Sequence, residues 1–192
     1  MQTLELKFTG QSALLLHSDR GANPLAKATI AHKALTSKRK KTDEDHMAIA
    51  RSEYMLGFYA GDEIIIPTAN VKSTIVEGAK LNKLGSAFNR CVMILDEVVP
   101  VTHSGPKTKT QMWETPACVD CRSVKVGTAR LMRYRPRLND WSLSVLIHFD
   151  ERMIERAQIV AAAENAGRFI GIGDYRPARG GMFGRFDVEE VA

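Results

Sequence analysis

Between Gly171 and Arg185 lie five glycines and three arginines, in the run Gly171-Ile172-Gly173-Asp174-Tyr175-Arg176-Pro177-Ala178-Arg179-Gly180-Gly181-Met182-Phe183-Gly184-Arg185. Glycine lets a backbone come close to a ligand because it has no Cβ. Arginine offers a planar fork of donors that matches phosphate. Polyanion binding is the chemistry such a loop suits, through Gly173, Gly180, Gly181 and the guanidinium groups of Arg176, Arg179 and Arg185. The other reading is a surface loop whose arginines keep the chain soluble. Arg133, Arg135 and Arg137 recur at every second place. On an extended chain they share one side, about 6.6 Å apart at roughly 3.3 Å per residue. That spacing resembles phosphates along a single strand, and Pro136 keeps the segment at an edge. Lys38, Arg39 and Lys40 belong to the basic run Ser37-Lys38-Arg39-Lys40-Lys41, followed at once by Asp43, Glu44 and Asp45. They are candidate phosphate contacts or else a solvated helix end. Tyr134, Trp141, Tyr175 and Phe183 are candidates for stacking on unpaired bases.

Other chemistries find less support. Gly171-Ile172-Gly173 opens like a dinucleotide-binding turn, but such a turn follows a strand and begins a helix. Here a helix precedes and a strand follows. The Gly-Lys-Ser/Thr of a P-loop is absent. Cys118-Val119-Asp120-Cys121 has the spacing of half a zinc site without a second pair, so Cys118 and Cys121 would need two ligands from elsewhere. Three cysteines leave one over in any disulfide pairing. His17, Ser18 and Asp19 are sequence neighbours, whereas a triad converges from separate elements. Asp19 is the one catalytic candidate, a loop carboxylate placed to assist metal-dependent phosphodiester cleavage; as a turn residue it would do nothing chemical. No residue set calls for a cofactor, and nothing compels an enzyme.

The chain has 192 residues, a formal net charge of +5, 44% hydrophobic and 26% charged residues. That is enough for one domain with a proper core. The basic balance favours a nucleic-acid partner. No apolar run approaches the roughly 20 residues of a membrane-spanning helix, and the first residues alternate like a strand rather than a signal peptide. A cytoplasmic protein with no membrane partner is expected.

Periodicity gives the elements that must position these groups. Residues 4–9 alternate as a half-buried strand, interrupted at Gly10 and resumed over 13–16. Residues 25–36 and 43–57 read as helices, the second opened by Thr42 with Asp45 and buried through Ile49, Tyr54, Leu56 and Phe58. A strand over 63–67 leads to a helix from about 71 to 81, capped by Thr68 or Asn70, with Val71, Ile75, Val76 and Ala79 on one face. Residues 91–101 look like a strand, and 102–121 like a long loop or hairpin. A strand over 141–149 precedes a helix from Asp150 to about Ala166 that turns Met153, Ile154, Ile159, Val160 and Ala163 inward and ends at Gly167. The last strand spans 183–191. This strand-helix-strand-strand-helix-strand order is the ferredoxin-like α+β arrangement, which RNA-recognition motifs share. One domain over 1–192 is expected, with a helical insertion at about 24–60 and a second insertion at about 102–128.

Three stretches carry a family likeness: Ser12-Ala13-Leu14-Leu15-Leu16-His17-Ser18, then Ile64-Ile65-Ile66-Pro67-Thr68-Ala69-Asn70-Val71-Lys72-Ser73-Thr74-Ile75, and Gly171 to Phe186. Together they resemble the RAMP superfamily, and within it the backbone subunits that coat guide RNA in CRISPR effector complexes of antiviral defence. The second stretch is similar to the family's I-P-G-S-S-hydrophobic-K-G turn, with Thr68-Ala69 where the family favours Gly-Ser. The third resembles its C-terminal glycine loop ending G-F/Y-G-hydrophobic. The resemblance implies a ferredoxin-like palm, an inserted helical region, a thumb hairpin from within 102–128, and lateral assembly of copies along RNA beside other effector subunits. It implies phosphate contacts from Lys72, Arg176, Arg179 and Arg185. It also puts Asp19 where target-cleaving relatives carry their cutting aspartate. The short chain suits a compact homologue carried by a phage or mobile element.

The function expected from all this is non-catalytic binding of single-stranded guide RNA by a subunit that oligomerises along it. Three alternatives use the same residues: a phage single-stranded-DNA binder or annealing protein, a decoy that blocks a host CRISPR complex, and a metal-dependent ribonuclease built on Asp19.

Overall fold

Strict alternation makes strand β1 (Gln2–Gly10): Leu4, Leu6 and Phe8 are buried, while Thr3, Glu5, Lys7 and Thr9 stay exposed. After it come β2 (Leu14–Leu15), α1 (Lys27–Thr36), α2 (Asp43–Gly57), β3 (Ile65–Pro67), α3 (Thr68–Lys80), α4 (Gly85–Cys91), β4 (Val92–Met93), β5 (Val98–Pro100) and β6 (Thr102–His103). The chain continues through α5 (Lys109–Glu114), β7 (Val119–Val126), β8 (Ala129–Leu138), β9 (Trp141–Phe149), α6 (Arg156–Asn165) and β10 (Phe186–Val191). This computed structural model describes residues 1–191, apart from the side chain of Val126. The fold is α+β, 40% helix and 28% strand in antiparallel sheets. No helix among the described residues is long and apolar enough to cross a membrane. Two compact units form, one from residues 1–14, 63–104 and 139 onward, the other from 15–62 and 105–138.

In the first unit the sheet order is β10-β1-β9-β4, every neighbouring pair antiparallel, with β6 also on β9. β1 is central: Leu6 lies opposite Val145 on one side and Glu190 on the other. The buried side holds Leu4, Leu6, Phe8, Leu143, Val145, Ile147, Phe149 and Phe186. Phe8 stacks on Phe186 at 4.4 Å, and Trp141 fills the end of this layer, its Nε1 donating to Ser12 O at 2.8 Å. α3 and α6 pack on one another so closely that a Cβ on Gly78 would strike the Ala162 carbonyl. Val71, Ile75 and Ala79 of α3 and Ile159, Ala162 and Ala163 of α6 are buried. A separate pair, β3 with β5, sets Ile66 opposite Val99.

Several boundaries differ from those expected. α3 starts at Thr68 rather than being capped by it, because the Thr68 hydroxyl donates to the Asp96 carbonyl instead. Residues 91–101 are two short strands, preceded by α4, whose seven residues are too few to register as a periodic pattern. The helix expected from Asp150 begins at Arg156, where Glu155 and Gln158 form a capping box. Asp150 instead accepts from Arg152 N in the turn before it, and Met153 is exposed. Gly167 does not end the helix. The chain goes on through a π-helical turn, Ala166–Ile170, and stops at Gly171 with φ 72°. Gly167 is needed for another reason, since the Phe186 carbonyl occupies the space of its Cβ. The last strand begins at Phe186, not 183.

In the second unit, Thr42 and Asp45 form the capping box that opens α2, as their spacing predicts. Tyr54 and Phe58 are buried, while Ile49 and Leu56 are half-buried. The Tyr54 hydroxyl donates to Cys118 O at 3.1 Å, and burial pushes its pKa up. β7 and β8 form a hairpin around Gly127 and Thr128, and β2 extends it to a three-stranded sheet. Gly57 lies where a Cβ would run into the Pro136 ring. Segment 102–121 is not a loop: it contains β6 and α5, the latter capped by Thr108. Met112 is buried and Trp113 packs on Tyr54, so tertiary contact holds a helix of six residues that local propensity would leave unformed.

Candidate nucleic-acid interface

The glycine loop of the first unit is tied down by its own backbone. Ile172 N–H donates to Gly184 O at 2.9 Å, Gly184 N–H to Ala13 O at 2.9 Å, and Gly181 N–H to Arg176 O at 3.0 Å. Gly184 is buried with φ 70°, and a Cβ there would collide with the Ile172 carbonyl. A Cβ on Gly181 would collide with the Tyr175 carbonyl. Gly181 and Gly184 therefore let chain approach chain. Gly180, φ 74°, faces open space.

The loop's arginines differ in what they have left to offer. Arg176 is half-buried and donates Nη1 to Gly173 O at 3.0 Å, while its Nε is buried without a hydrogen bond. Arg185 is exposed and hydrogen-bonded to the Arg168 carbonyl. Arg179, at the end of a 3-10 turn, is exposed. Tyr175 is 39% exposed and holds φ 48°, whereas Phe183 and Trp141 are core residues with 5% and 3% exposure. Neither of those two is available for stacking on a base.

In the second unit the arginines form a row, and two of them, Arg133 and Arg135, face carboxylates. Arg133 Nη1 donates to Glu53 Oε1 at 2.5 Å, a carboxylate that α2 supplies. Arg135 is 8% exposed, with Nη1 3.6 Å from Asp120 Oδ2, and Asp120 sits opposite it across the hairpin. Arg122 Nε holds the other oxygen of Asp120 at 2.6 Å. Arg137 is half-buried near the Cys118 thiol, whose pKa burial raises and Arg137 lowers. Glu53 and Asp120 thus face Arg133 and Arg135 of the row that the spacing offered as an open phosphate track. Two acids distant in sequence, Glu53 and Asp120, were invisible to a reading of the spacing alone.

The basic run is freer. Lys38 pairs with Asp45 at 2.5 Å and holds that carboxyl below its usual pKa, and Lys41 Nζ donates to Lys38 O at 2.7 Å. Arg39 and Lys40 are exposed and make no ion pair among the described residues, and the same holds for Lys125 and Arg130 at the hairpin tip. Charge divides unevenly between the units. Residues 15–62 and 105–138 carry 16 Lys and Arg against 8 Asp and Glu; the rest carry 11 against 14. The formal +5 is thus +8 in the second unit and −3 in the first.

The remaining candidates are dispersed. Lys72 Nζ is engaged with Asn89 O at 3.1 Å, bridging α3 and α4. Asp19 is exposed at the head of a 3-10 turn, where Ser18 accepts from Arg20 N. Cys118 is buried and Cys121 exposed. Among the described residues no group of three or more His, Cys, Asp or Glu comes together to hold a metal, so neither the cysteine pair nor Asp19 gains a ligand partner there. His103 is pushed toward its neutral form by burial, and beside it Ser104 Oγ donates to Asp140 Oδ2 at 2.8 Å. No family model matches this chain, and no curated protein matches it.

Proposed function

We propose that this chain is a non-catalytic subunit that binds single-stranded RNA and assembles with further copies along it, as a ferredoxin-like member of the RAMP superfamily. The segregation of charge carries the reading. A strand of phosphates is attracted to a surface of +8 with exposed Arg39, Lys40, Lys125 and Arg130, and gains little from the −3 remainder. The ferredoxin-like assignment is supported by the order β10-β1-β9-β4, with α3 between β1 and β4 and α6 between β9 and β10. That is the fourth-first-third-second order of two interleaved split βαβ units.

Binding on the open sheet face, as RNA-recognition motifs do it, is disfavoured. That face presents Thr3, Glu5, Lys7, Thr9, Ser142, Ser144, Leu146, His148, Asp187 and Glu189, with no aromatic ring for a base and three carboxylates against phosphate. Exposed Arg39, Lys40, Lys125 and Arg130 of the second unit suit the backbone of the strand instead.

Fluorescence anisotropy with a labelled 30-nucleotide RNA tests the proposal. If about four phosphates are engaged, affinity falls about 50-fold between 50 and 200 mM salt. Replacing Arg39 and Lys40 with alanine flattens the log-log salt dependence by about 1.4. An affinity indifferent to salt overturns the reading. Equal affinity for DNA of the same sequence overturns the RNA assignment, since the 2′-hydroxyl then goes unread.

A further inference from the structure

The second unit contains a cavity of about 540 Å³ whose walls are chemically divided. Trp113 and Tyr134 line it together with Met47 and Ala50 of α2 and with Asp43 and His46 from that helix's first turns. Both rings are half-exposed and both are fixed. Trp113 leans on buried Tyr54 at 5.1 Å and meets Tyr134 edge-on at 6.2 Å. Cys121 lies opposite Tyr134 across the hairpin, and its thiol raises the tyrosine's pKa. A mostly apolar hollow of this size with a few polar groups in its lining has the character of a small-molecule site.

What could occupy it is narrowed by the next residues along the chain. Arg39 and Lys40 are exposed, unpaired among the described residues, and three to four positions before Asp43. Chain length puts them within about 15 Å of Asp43. A ligand that suits all of this has a flat aromatic ring with hydrogen-bonding edges and a negative charge a short distance from the ring. Nucleotides have that construction. We propose that this cavity receives one unstacked nucleobase, the ring lying against Trp113 and Tyr134, its edge toward Asp43 and His46, and its phosphate toward Arg39 and Lys40. The inference deepens the RNA-binding reading and rests on it where the base belongs to a strand; a free mononucleotide offers the same chemistry.

Tryptophan emission provides the test, because Trp141 is 3% exposed and a quenching response reports on Trp113. The full chain is titrated with AMP, with a 12-nucleotide oligoadenylate RNA, and with an abasic oligomer of equal phosphate number. The proposal expects oligoadenylate to quench Trp113 and to bind about ten-fold more tightly than the abasic oligomer. In Trp113→Leu, read by anisotropy, that preference shrinks to about one while the salt dependence survives. His46→Ala, at an exposed position outside the core, weakens the base preference several-fold and covers the case in which Trp113→Leu fails to fold. Equal binding of oligoadenylate and abasic oligomer by the parent chain overturns the pocket and leaves the RNA reading standing. Quenching by AMP with no binding of either oligomer does the reverse, supporting the pocket and removing the polymer. No quenching by AMP or oligoadenylate overturns the pocket outright.

Discussion

Asp120 governs the charge balance of the β-hairpin. Its side chain is 2% exposed and faces Arg122 on one oxygen and Arg135 on the other. Taking a carboxylate and a guanidinium out of water costs several kcal/mol each, offset only while both are present. Asp120→Ala therefore removes the buried carboxylate that faces Arg135 and should cost about 3 kcal/mol. Arg133→Ala, which opens a partly exposed pair with Glu53, should cost under about 1 kcal/mol. Urea unfolding of both variants checks this, and equal losses would contradict the account. The alternation of Arg133, Arg135 and Arg137 was legible in the sequence, and so was their shared side. Which way that side faces was not, because Glu53 lies 80 positions upstream and only the tertiary fold brings it there.

Elements whose pattern is self-contained were read well. β1 and β9 alternate cleanly over nine residues each, and α2 carries both a cap and an apolar stripe. α4 and α5, of seven and six residues, were missed because neither is long enough to show a period, and α5 owes its existence to packing. The glycine loop was legible, but the backbone contacts that Gly181 and Gly184 permit were not. Glycine chemistry is the same whether backbone approaches a phosphate or another carbonyl, and only the fold says which. Substitution separates the two roles. Gly184→Ala combines positive φ with the Ile172 carbonyl and should cost more than about 2 kcal/mol. Gly180→Ala has the backbone penalty alone, about 1 kcal/mol. Thermal melts should rank them in that order; a benign Gly184→Ala would mean the loop is less tightly built than its hydrogen bonds imply.

At the scale of the molecule, the second unit interrupts the first twice, so the chain crosses between them near residues 14, 62, 104 and 138. The basic surface thus comes entirely from interruptions, which explains why whole-chain composition gave only a mild excess of +5. Contacts in the central sheet are correspondingly remote in sequence, and such topologies fold slowly. A fragment ending at residue 138 keeps β1 but lacks β9 and β10, its two partners, and should aggregate on expression. A soluble fragment whose β1 amides resist hydrogen exchange would refute this. On the ribosome the same geometry has a temporal meaning. The first strand to emerge waits for the last two, about 10–35 seconds at roughly 5–20 residues per second, with its apolar row of Leu4, Leu6 and Phe8 unclaimed. Biogenesis, more than the finished fold, is when this apolar row stands open to aggregation.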